Sequence, residues 1–426
     1  MEHFPDQESY EAWLDRSCRL PDGFRVSSGS LTFVPRERPT LEPYRMNMSM
    51  ILLDEPTDMF AGMCTRNAIV GAPVVIAREL LQGRQTQGVI VNNRISNVCA
   101  PDGIEDAHRV QEATAARIGC DPTLIFPVST GIIGWKLPVD DMLEALPAVC
   151  GGLQRYGARE FAQGIMTTDR YPKMAHAEVG NGRILGIAKG AGMVEPDLAT
   201  MLVFIMTDIR VERAKLRAVF ADAVDRSFNH ISIDSDQSTS DMALLLSSGA
   251  AGTADDAAFA SALCEVCRTL SLQVVRNGEG TAHVIEVTVS GLSTESACRA
   301  AGKAVVNSPL IKTAIYGNDP NVGRIVGALG DHASREGIPV QVELLEIRIG
   351  GELVFARGSF RLDREKEITL SSYLSKAAMN PRVRGYPQHD LCVQISIDFG
   401  LGPAESTVWG SDLSDEYVHE NADYRT

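Results

Sequence analysis

The residues best suited to do chemistry lie near the middle of the chain, in a Gly-rich segment that ends in an Ala-Thr pair. Residues 186–208 read GIAKGAGMVEPDLATMLVFIMTD, and apolar, strand-like runs at 184–188 and 201–206 flank the glycines. The segment has neither the Gly-Lys-Ser/Thr ending of a P-loop nor the third glycine of a dinucleotide fingerprint. It is therefore a poor phosphate loop, and its candidate reactive residues are Ala199 and Thr200 at its end.

A threonine at the start of a chain can act as a nucleophile and supply its own base. A hydroxyl needs an adjacent base to attack a carbonyl. An α-amino group titrates near ~8, whereas a lysine amine is mostly protonated at neutral pH. Cleavage between Ala199 and Thr200 would create this arrangement, through attack of the Thr200 hydroxyl on the Ala199 carbonyl and hydrolysis of the ester. Taken alone, the pair is more typical of the start of a buried strand.

Three further sites carry polar residues that could serve a reaction at Thr200. Thr130 and Gly131 follow an apolar run, where a hydroxyl and a backbone N–H can stabilise an oxyanion, although alone they are typical of an ordinary turn. Lys189 is a cation within an apolar stretch and needs an anionic partner, for which a substrate carboxylate is suitable. Glu279 lies between two glycines, where its carboxylate could accept an ammonium group or simply face solvent.

The composition excludes several classes of protein. A chain of 426 residues suggests about two or three structural units. Its formal charge of −15, with no basic cluster, argues against a nucleic-acid partner. No apolar run approaches the ~20 residues that cross a bilayer, and the acidic first residues lack a signal-peptide layout. Nine irregularly spaced cysteines favour reduced thiols, so we expect a cytoplasmic protein without a membrane partner.

We expect no metal site. Cys264 and Cys267 form a Cys-x-x-Cys pair, but they lie in a helical pattern without further ligands nearby. The run 234–241 alternates like the first ligands of a calcium loop, but Thr239 and Leu245 stand where that loop needs Gly and Glu. We therefore assign the run to structural hydrogen bonding near the site.

The chain alternates short apolar runs with amphipathic stretches, which predicts an α/β (α+β) fold. Strands are predicted at 88–92, 124–128, 184–188, 201–206, 230–234, 283–289 and 393–398, with a hairpin at 346–355. Helices are predicted at 8–14, 104–118, 211–228 and 255–270, and loops at 247–255 and 277–280. Asp102 with Glu105 predicts a capping box at the second of these helices.

Together these segments resemble the ornithine acetyltransferase family, whose chain cuts itself between an Ala and a Thr. The resemblance runs from about residue 21 to the C-terminus in the order of the family's motifs. It rests on 64–74, 129–138, 165–169, 186–208, 228–241, 278–280, 306–313, 319–321 and 421–426. Each motif is weak alone, but the set is specific, and it places the cleavage site at Ala199–Thr200.

The resemblance implies a role for each matching residue. Thr200 is the nucleophile and, through its freed amine, the base, while Thr130 and Gly131 form the oxyanion hole. The substrate-binding residues implied are Thr167, Lys189, Thr200, Glu279, Asn421 and Thr426. The last two belong to a C-terminal tail that must then fold back over the active site.

The implied activity is ping-pong transfer of an acetyl group from N-acetylornithine to glutamate, through an acyl-Thr200 intermediate and without a cofactor. The implied products of self-cleavage are an α chain, 1–199, and a β chain, 200–426, paired as α2β2. The implied fold packs helices on stacked β-sheets, as in the ornithine acetyltransferase and aminopeptidase superfamily, with a smaller C-terminal α/β domain. The expected division is an accessory segment 1–20, an αββα-type catalytic core 21–290, a C-terminal domain 291–410 and the tail 411–426.

Departures from the family pattern leave the specificity open. Val322 stands where the family usually has Trp, Asn277 replaces an Asp, and Glu195 stands where many members have His. One alternative is therefore a related acyltransferase with other acyl and amino-acid substrates in specialised metabolism, and a bifunctional member would also use acetyl-CoA. A second is an N-terminal-nucleophile aminopeptidase or amidase, and a third is a binding protein that has lost turnover.

Overall fold

The structure is a computed structural model, and it describes residues 4–40, 42–195, 201–379 and 391–422. The helices in this part of the chain are α1 (Gln7–Ser17), α2 (Ala72–Leu80), α3 (Gly103–Ile118), α4 (Val139–Gly151), α5 (Ala158–Gly164), α6 (Arg213–Asp225), α7 (Asp256–Arg276), α8 (Glu295–Val306), α9 (Pro309–Tyr316), α10 (Val322–Glu336), α11 (Arg364–Ala377) and α12 (Asp415–Ala422). The strands are β1 (Phe24–Phe33), β2 (Tyr44–Thr57), β3 (Phe60–Cys64), β4 (Thr86–Asn92), β5 (Ile125–Ser129), β6 (Lys173–Val179), β7 (Gly182–Lys189), β8 (Leu202–Ile209), β9 (Ile231–Ser232), β10 (Met242–Gly252), β11 (Val284–Leu292), β12 (Glu346–Ile349), β13 (Glu352–Ala356), β14 (Ser359–Phe360), β15 (Val393–Asp398) and β16 (Ala404–Ser411).

These strands form three sheets. The first has the order β1-β2-β4-β5, the second β3-β10-β8-β7-β6, and the third β14-β13-β12-β15-β11-β16-β9. Strand β4 pairs in parallel with the edge strand β5 of the first sheet, and β8 pairs in parallel with β10 inside the second. Strands β4, β5 and β8 are buried along their whole length. Such continuous burial requires that both faces of a sheet are covered.

The first two sheets pack face to face and are covered by helices on their outer faces. Val26 of the first sheet and Phe204 of the second belong to the shared core between them. On the other face of the first sheet, the core includes Met142 of α4, and on the other face of the second it includes Leu263 of α7. The order of layers is therefore helix, sheet, sheet, helix. The third sheet has its own core with α8, α10 and α11. The predicted mixed α/β fold with helices packed on stacked sheets is confirmed.

Helix α7 bears on two expectations from the sequence, one about membrane-spanning runs and one about the Cys264–Cys267 pair. Among the described residues it is the one helix that is long and apolar enough to cross a membrane, judged by length and composition alone. This differs from the sequence expectation that no apolar run approaches that length. The helix is half-buried, and Phe259 and Leu270 lie in the core against the second sheet, as is typical of a core helix. Cys267 is fully buried on the same helix, and this burial raises the pKa of its thiol.

Most predicted strands and helices are confirmed within a few residues, but three local predictions are wrong. The strand expected at 230–234 is only Ile231–Ser232. The loop expected at 247–255 is largely strand, because β10 continues to Gly252 across an irregularity after Ser247. The capping box fails because Asp102 has φ +57°, and its carboxylate accepts a 2.7 Å hydrogen bond from Lys136 instead of capping α3.

The long antiparallel pair β1 and β2 and the helices after residue 290 were not predicted. Strand β1 contains four Ser or Gly residues among its ten, so its apolar signal is weak. Only pairing with the long, buried β2 makes it a strand.

Candidate active site

A cavity of about 690 Å³ lies where the ends of several strands meet. Six of the residues selected from the sequence line it, namely Thr130, Gly131, Thr167, Lys189, Glu279 and Asn421. They come from distant parts of the chain and from both sides of the proposed cleavage bond. Ala199, Thr200 and Thr426 lie outside the described residues. The structure thus brings six of the residues together, and their individual roles remain predictions.

Thr130 and Gly131 follow β5 and present two hydrogen-bond donors. The Thr130 N–H donates to the carbonyl of Asn92 at 3.1 Å, which fixes the chain at the strand end. Gly131 has φ +128°, and a Cβ there would collide with the backbone of Arg94. Neither the Thr130 hydroxyl nor the Gly131 N–H hydrogen bonds to another residue in the described part of the chain. Both are therefore available to the cavity.

Lys189 ends β7, opposite Leu202 at the start of β8. Its side chain is half-buried and lines the cavity. Within the described ranges, no hydrogen bond or ion pair occupies its ammonium group, although two buried carboxyls, Asp169 and Asp241, lie close enough to sense its charge. A cation in this setting is suited to bind a substrate anion.

Asp169 connects two sides of the cavity from within the core. Its Oδ2 accepts from the Thr167 N–H at 3.1 Å, and its Oδ1 accepts from the Gly190 N–H at 2.9 Å. Oδ1 also accepts from Nζ of Lys173, a fully buried side chain. Burial acts to raise the pKa of Asp169, but Lys173 and Lys189 outweigh it and hold that pKa at about 2. Sequence analysis missed Lys173, because a lysine at the edge of a strand gives no sign that it is buried.

Glu279 is buried at the cavity wall and contacts two other segments of the chain. Its N–H donates to the carbonyl of Ala191 at 2.8 Å, and its carboxylate accepts from Asn421 Nδ2 at 2.9 Å. A Cβ on Gly192 would collide with this carboxylate, so the glycine permits its close approach. Asn421 lies on α12, so the described part of the C-terminal tail does reach the cavity. The loop at 277–280 is confirmed.

The segment from Met193 to Glu195 is anchored by hydrogen bonds on both sides. The Asp234 carboxylate accepts from the N–H groups of Met193 at 2.6 Å and Val194 at 2.8 Å. Burial raises the pKa of Asp234, although these bonds oppose the rise. Glu195 accepts from Ser232 Oγ at 2.8 Å and from the amide of Asn307. The structural role assigned to Asp234 is confirmed. Glu195, which stands where many family members have His, hydrogen bonds to Ser232 and Asn307.

Asp241 is a further buried carboxyl at the cavity. It lies at the start of β10, where the neighbouring Met242 N–H donates to the carbonyl of Met201 at 3.1 Å. Burial raises the pKa of Asp241 well above its usual value, against the opposing effects of Ser238 and Lys189. Burial therefore disfavours the negative charge of this carboxyl relative to an exposed aspartate.

Sequence analysis missed part of the cavity lining. Arg38 lies on the connection between β1 and β2, and Ile133 and Met193 are large apolar residues that remain partly exposed there. None of them stands in a pattern that indicates a site, because each reaches the cavity only through the path of its loop. Within the described ranges, no group of three His, Cys, Asp or Glu side chains is placed to hold a metal ion.

Comparison with known proteins identifies relatives along nearly the whole chain. The model of the ArgJ family matches residues 39–426. Glutamate N-acetyltransferase Oat2 of Streptomyces clavuligerus is 38% identical over 421 residues, which cover 97% of this chain and 100% of that protein. Arginine biosynthesis bifunctional protein ArgJ of Thermus thermophilus is 35% identical over 412 residues, or 96% of this chain and 100% of the relative.

A third relative, arginine biosynthesis bifunctional protein ArgJ of Rhodococcoides fascians, is 34% identical over 414 residues, or 97% of this chain and 96% of that protein. Among solved structures, the argJ protein of Bacillus halodurans is 32% identical, with a TM-score of 0.46. That match covers 51% of this chain and 97% of the solved chain.

Proposed function

This chain belongs to the ArgJ family, and from that premise we propose that it transfers an acetyl group from N-acetylornithine to glutamate through an acyl-Thr200 intermediate. It is an acyltransferase of the ornithine acetyltransferase and glutamate N-acetyltransferase type, to which its relatives belong. Glutamate is the acceptor indicated by the name of the Streptomyces clavuligerus relative, and N-acetylornithine is the donor implied by the resemblance to the ornithine acetyltransferases.

The observation that carries the proposal is the composition of the cavity. It combines a pair of hydrogen-bond donors at Thr130 and Gly131, with which no other described residue hydrogen bonds, with a cation at Lys189 and an anion at Glu279. An amino acid that carries a carboxylate and a side-chain ammonium has the opposite charges. A reaction that passes through a tetrahedral oxyanion needs donors already in place, as this pair is.

The proposed reaction has two halves. The Thr200 amine takes the proton of its own hydroxyl, the hydroxyl oxygen attacks the acetyl carbonyl, and Thr130 and Gly131 stabilise the oxyanion. The carbon–nitrogen bond then breaks, and the ornithine amine leaves with the proton. In the second half the α-amine of glutamate attacks the acetyl ester, and Thr200 regains its proton. Lys189 binds the α-carboxylate in both halves, and Glu279 accepts the ornithine ammonium.

Several features of the mature protein belong to the same proposal. Thr200 becomes N-terminal by self-cleavage, and the resulting chains, 1–199 and 200–426, assemble as α2β2 in the cytoplasm. Thr426 joins Asn421 in contacting substrate. The chain is divided into the segments 1–20, 21–290, 291–410 and 411–426, of which the second carries the cleavage site.

The first test is the covalent state of the purified protein. We expect two fragments on a denaturing gel, and N-terminal sequencing of the larger one should begin at Thr200. Thr200→Ala removes the attacking oxygen and should remain a single, inactive chain. A different cut, or activity in the alanine variant, would contradict the proposal.

The second test follows the acyl group. Purified enzyme with N-acetylornithine should release ornithine rapidly only when glutamate is present, and it should form N-acetylglutamate in equal amount. Release without an acceptor would indicate an amidase, and transfer only among other acyl donors and acceptors would indicate a specialised acyltransferase. An arm with acetyl-CoA and glutamate tests whether a second acetyl donor is used.

A further inference from the structure

We propose that Lys173 is a positioning residue: by pairing with Asp169 in the core, it keeps the Lys189 ammonium available for the carboxylate of the amino-acid substrate. This inference rests on the proposed function, since it takes Lys189 as the residue that binds that carboxylate. Lys173 itself does not line the cavity among the residues described, so it acts through Asp169 and Lys189.

The ion pair lies directly behind the part of the wall that carries Lys189. The side chains of Asp169 and Lys173 are both 0% exposed, and Lys173 Nζ donates to Asp169 Oδ1. The same oxygen accepts from the N–H of Gly190, the residue after Lys189, at 2.9 Å. The Asp169 carboxylate is thus fixed beside the end of β7, where it contacts the backbone next to Lys189.

Three buried or half-buried charges share this region, one negative and two positive. The charge of Lys189 acts on both partners, because it helps to lower the pKa of Asp169 and also acts to lower the pKa of Lys173, for which burial is the larger cause. A buried carboxylate without a partner is strongly unfavourable and attracts the nearest cation. Since Lys173 already contacts Asp169, the surplus positive charge remains on Lys189, at the cavity.

The second buried carboxyl is a poor competitor for Lys189. Burial raises the pKa of Asp241 and so disfavours its negative charge. Both carboxyls that sense Lys189 are therefore weakened as partners for it, Asp169 by its contact with Lys173 and Asp241 by the burial that disfavours its charge. Without Lys173, the Asp169 carboxylate would become the natural partner of Lys189, and the substrate carboxylate would lose its cation.

A purely structural role for Lys173 makes a different prediction, which a pair of ligands can separate. Putrescine is ornithine without its carboxylate, so it measures binding that does not depend on Lys189. Loss of core packing should weaken the binding of ornithine and putrescine alike. Capture of the Lys189 ammonium by Asp169 should weaken the binding of ornithine alone.

The experiment measures competitive inhibition constants of ornithine and putrescine, with kcat and KM for N-acetylornithine, on cleaved enzyme. In Lys173→Met we expect the ornithine constant to rise roughly tenfold, the size of one lost charge-assisted contact. The putrescine constant and kcat should stay within about threefold. Adding Asp169→Asn removes the carboxylate that captures Lys189, and should restore most of the ornithine affinity. Replacing both members of a buried pair is commonly tolerated, whereas removing one is destabilising.

Two further variants keep the result interpretable. If Lys173→Met is insoluble, Lys173→Gln takes its place, because it keeps a donor to Asp169 but no charge. The control variant Asp222→Asn with Arg226→Met removes an exposed ion pair at the end of α6. It should change the inhibition constant of neither ornithine nor putrescine. The proposal is overturned if ornithine and putrescine weaken together, or if Asp169→Asn fails to restore ornithine binding in the Lys173→Met background.

Lys189→Met separates failure of this inference from failure of the proposed function. It should abolish the preference for ornithine over putrescine. If it leaves that preference intact, Lys189 does not bind the carboxylate, and both proposals fall. If it abolishes the preference while Lys173→Met preserves it, only the role of Lys173 is wrong.

Discussion

Asn421 of α12 donates a 2.9 Å hydrogen bond to the buried carboxylate of Glu279, across 142 residues of sequence. The bond joins the C-terminal helix to the loop after α7, and both residues line the cavity. A second contact supports it, since Ser414 Oγ donates to the carbonyl of Gly280 at 2.5 Å. The described C-terminal segment is therefore part of the cavity wall, and Glu279 depends on it for its position.

Asn421→Ala should raise the KM for N-acetylornithine about tenfold and change kcat less. It removes a hydrogen bond to a charged group, which contributes ~1.5–3 kcal/mol, and leaves Glu279 free to turn away. Steady-state kinetics on cleaved enzyme provide the measurement. Glu420→Gln on the same helix is the matched control, because its pair with Arg170 is largely exposed and contributes roughly 0–1 kcal/mol. Equal effects of the two variants would show that α12 matters only as a whole.

Thr130→Ala should lower kcat by roughly 10²–10³-fold with little change in KM, the usual effect of losing one oxyanion donor. Thr130→Ser keeps the hydroxyl and should retain most of the activity. Thr168→Ala removes a different hydroxyl from the same cavity and controls for general disturbance of the wall. Serine and alanine variants with the same low kcat would argue against a donor role for the hydroxyl.

Gly192→Ala should destabilise the protein by ~1–3 kcal/mol, as overpacking does, and should raise KM as well. The added Cβ collides with the Glu279 carboxylate, which must move away. Gly327→Ala is the matched glycine substitution, because it lies within α10 and a Cβ there meets nothing within 4 Å. It should stabilise the protein by ~1 kcal/mol through helix propensity. Thermal unfolding of the two variants should shift in opposite directions, and a shared direction would refute the steric argument.

Asp241→Asn should gain stability relative to the natural chain as the pH rises above about 4. Burial raises the pKa of Asp241 in the folded state, so the folded chain keeps this proton above pH ~3.9, near which an unfolded aspartate loses it. The unfolded state therefore binds fewer protons in this window, and unfolding of the natural chain becomes easier by about 1.4 kcal/mol per pH unit until the folded carboxyl ionises. Below that window both side chains are neutral and the difference should be constant.

Urea unfolding of both proteins between pH 3 and pH 8 measures this difference. The Lys189 ammonium and the Ser238 hydroxyl are the groups that oppose the raised pKa, so they limit how far the effect extends. Parallel stability curves would show that the buried carboxyl titrates normally.

Local periodicity predicted the elements that position the site, but it failed where neighbours decide the conformation. The strands at 88–92 and 393–398 were predicted because their apolar patterns are continuous or alternating. The prediction of a capping box at Asp102 was wrong, because Lys136 of a distant loop binds that carboxylate. The prediction of a loop at 247–255 was wrong, because a Ser- and Gly-rich stretch there pairs with β8 and forms a strand.

Motif and order alone identify Thr130, Gly131, Lys189 and Glu279 as candidate site residues. Which charged side chains are paired in the core, and which remain available to a substrate, depends on the folded arrangement. Lys173 contacts Asp169 and lowers the pKa of that carboxyl against the effect of burial, whereas burial raises the pKa of Asp241. The physical reason is that burial and charge interactions depend on distances between side chains, and these distances arise only when strands far apart in sequence are brought to one cavity.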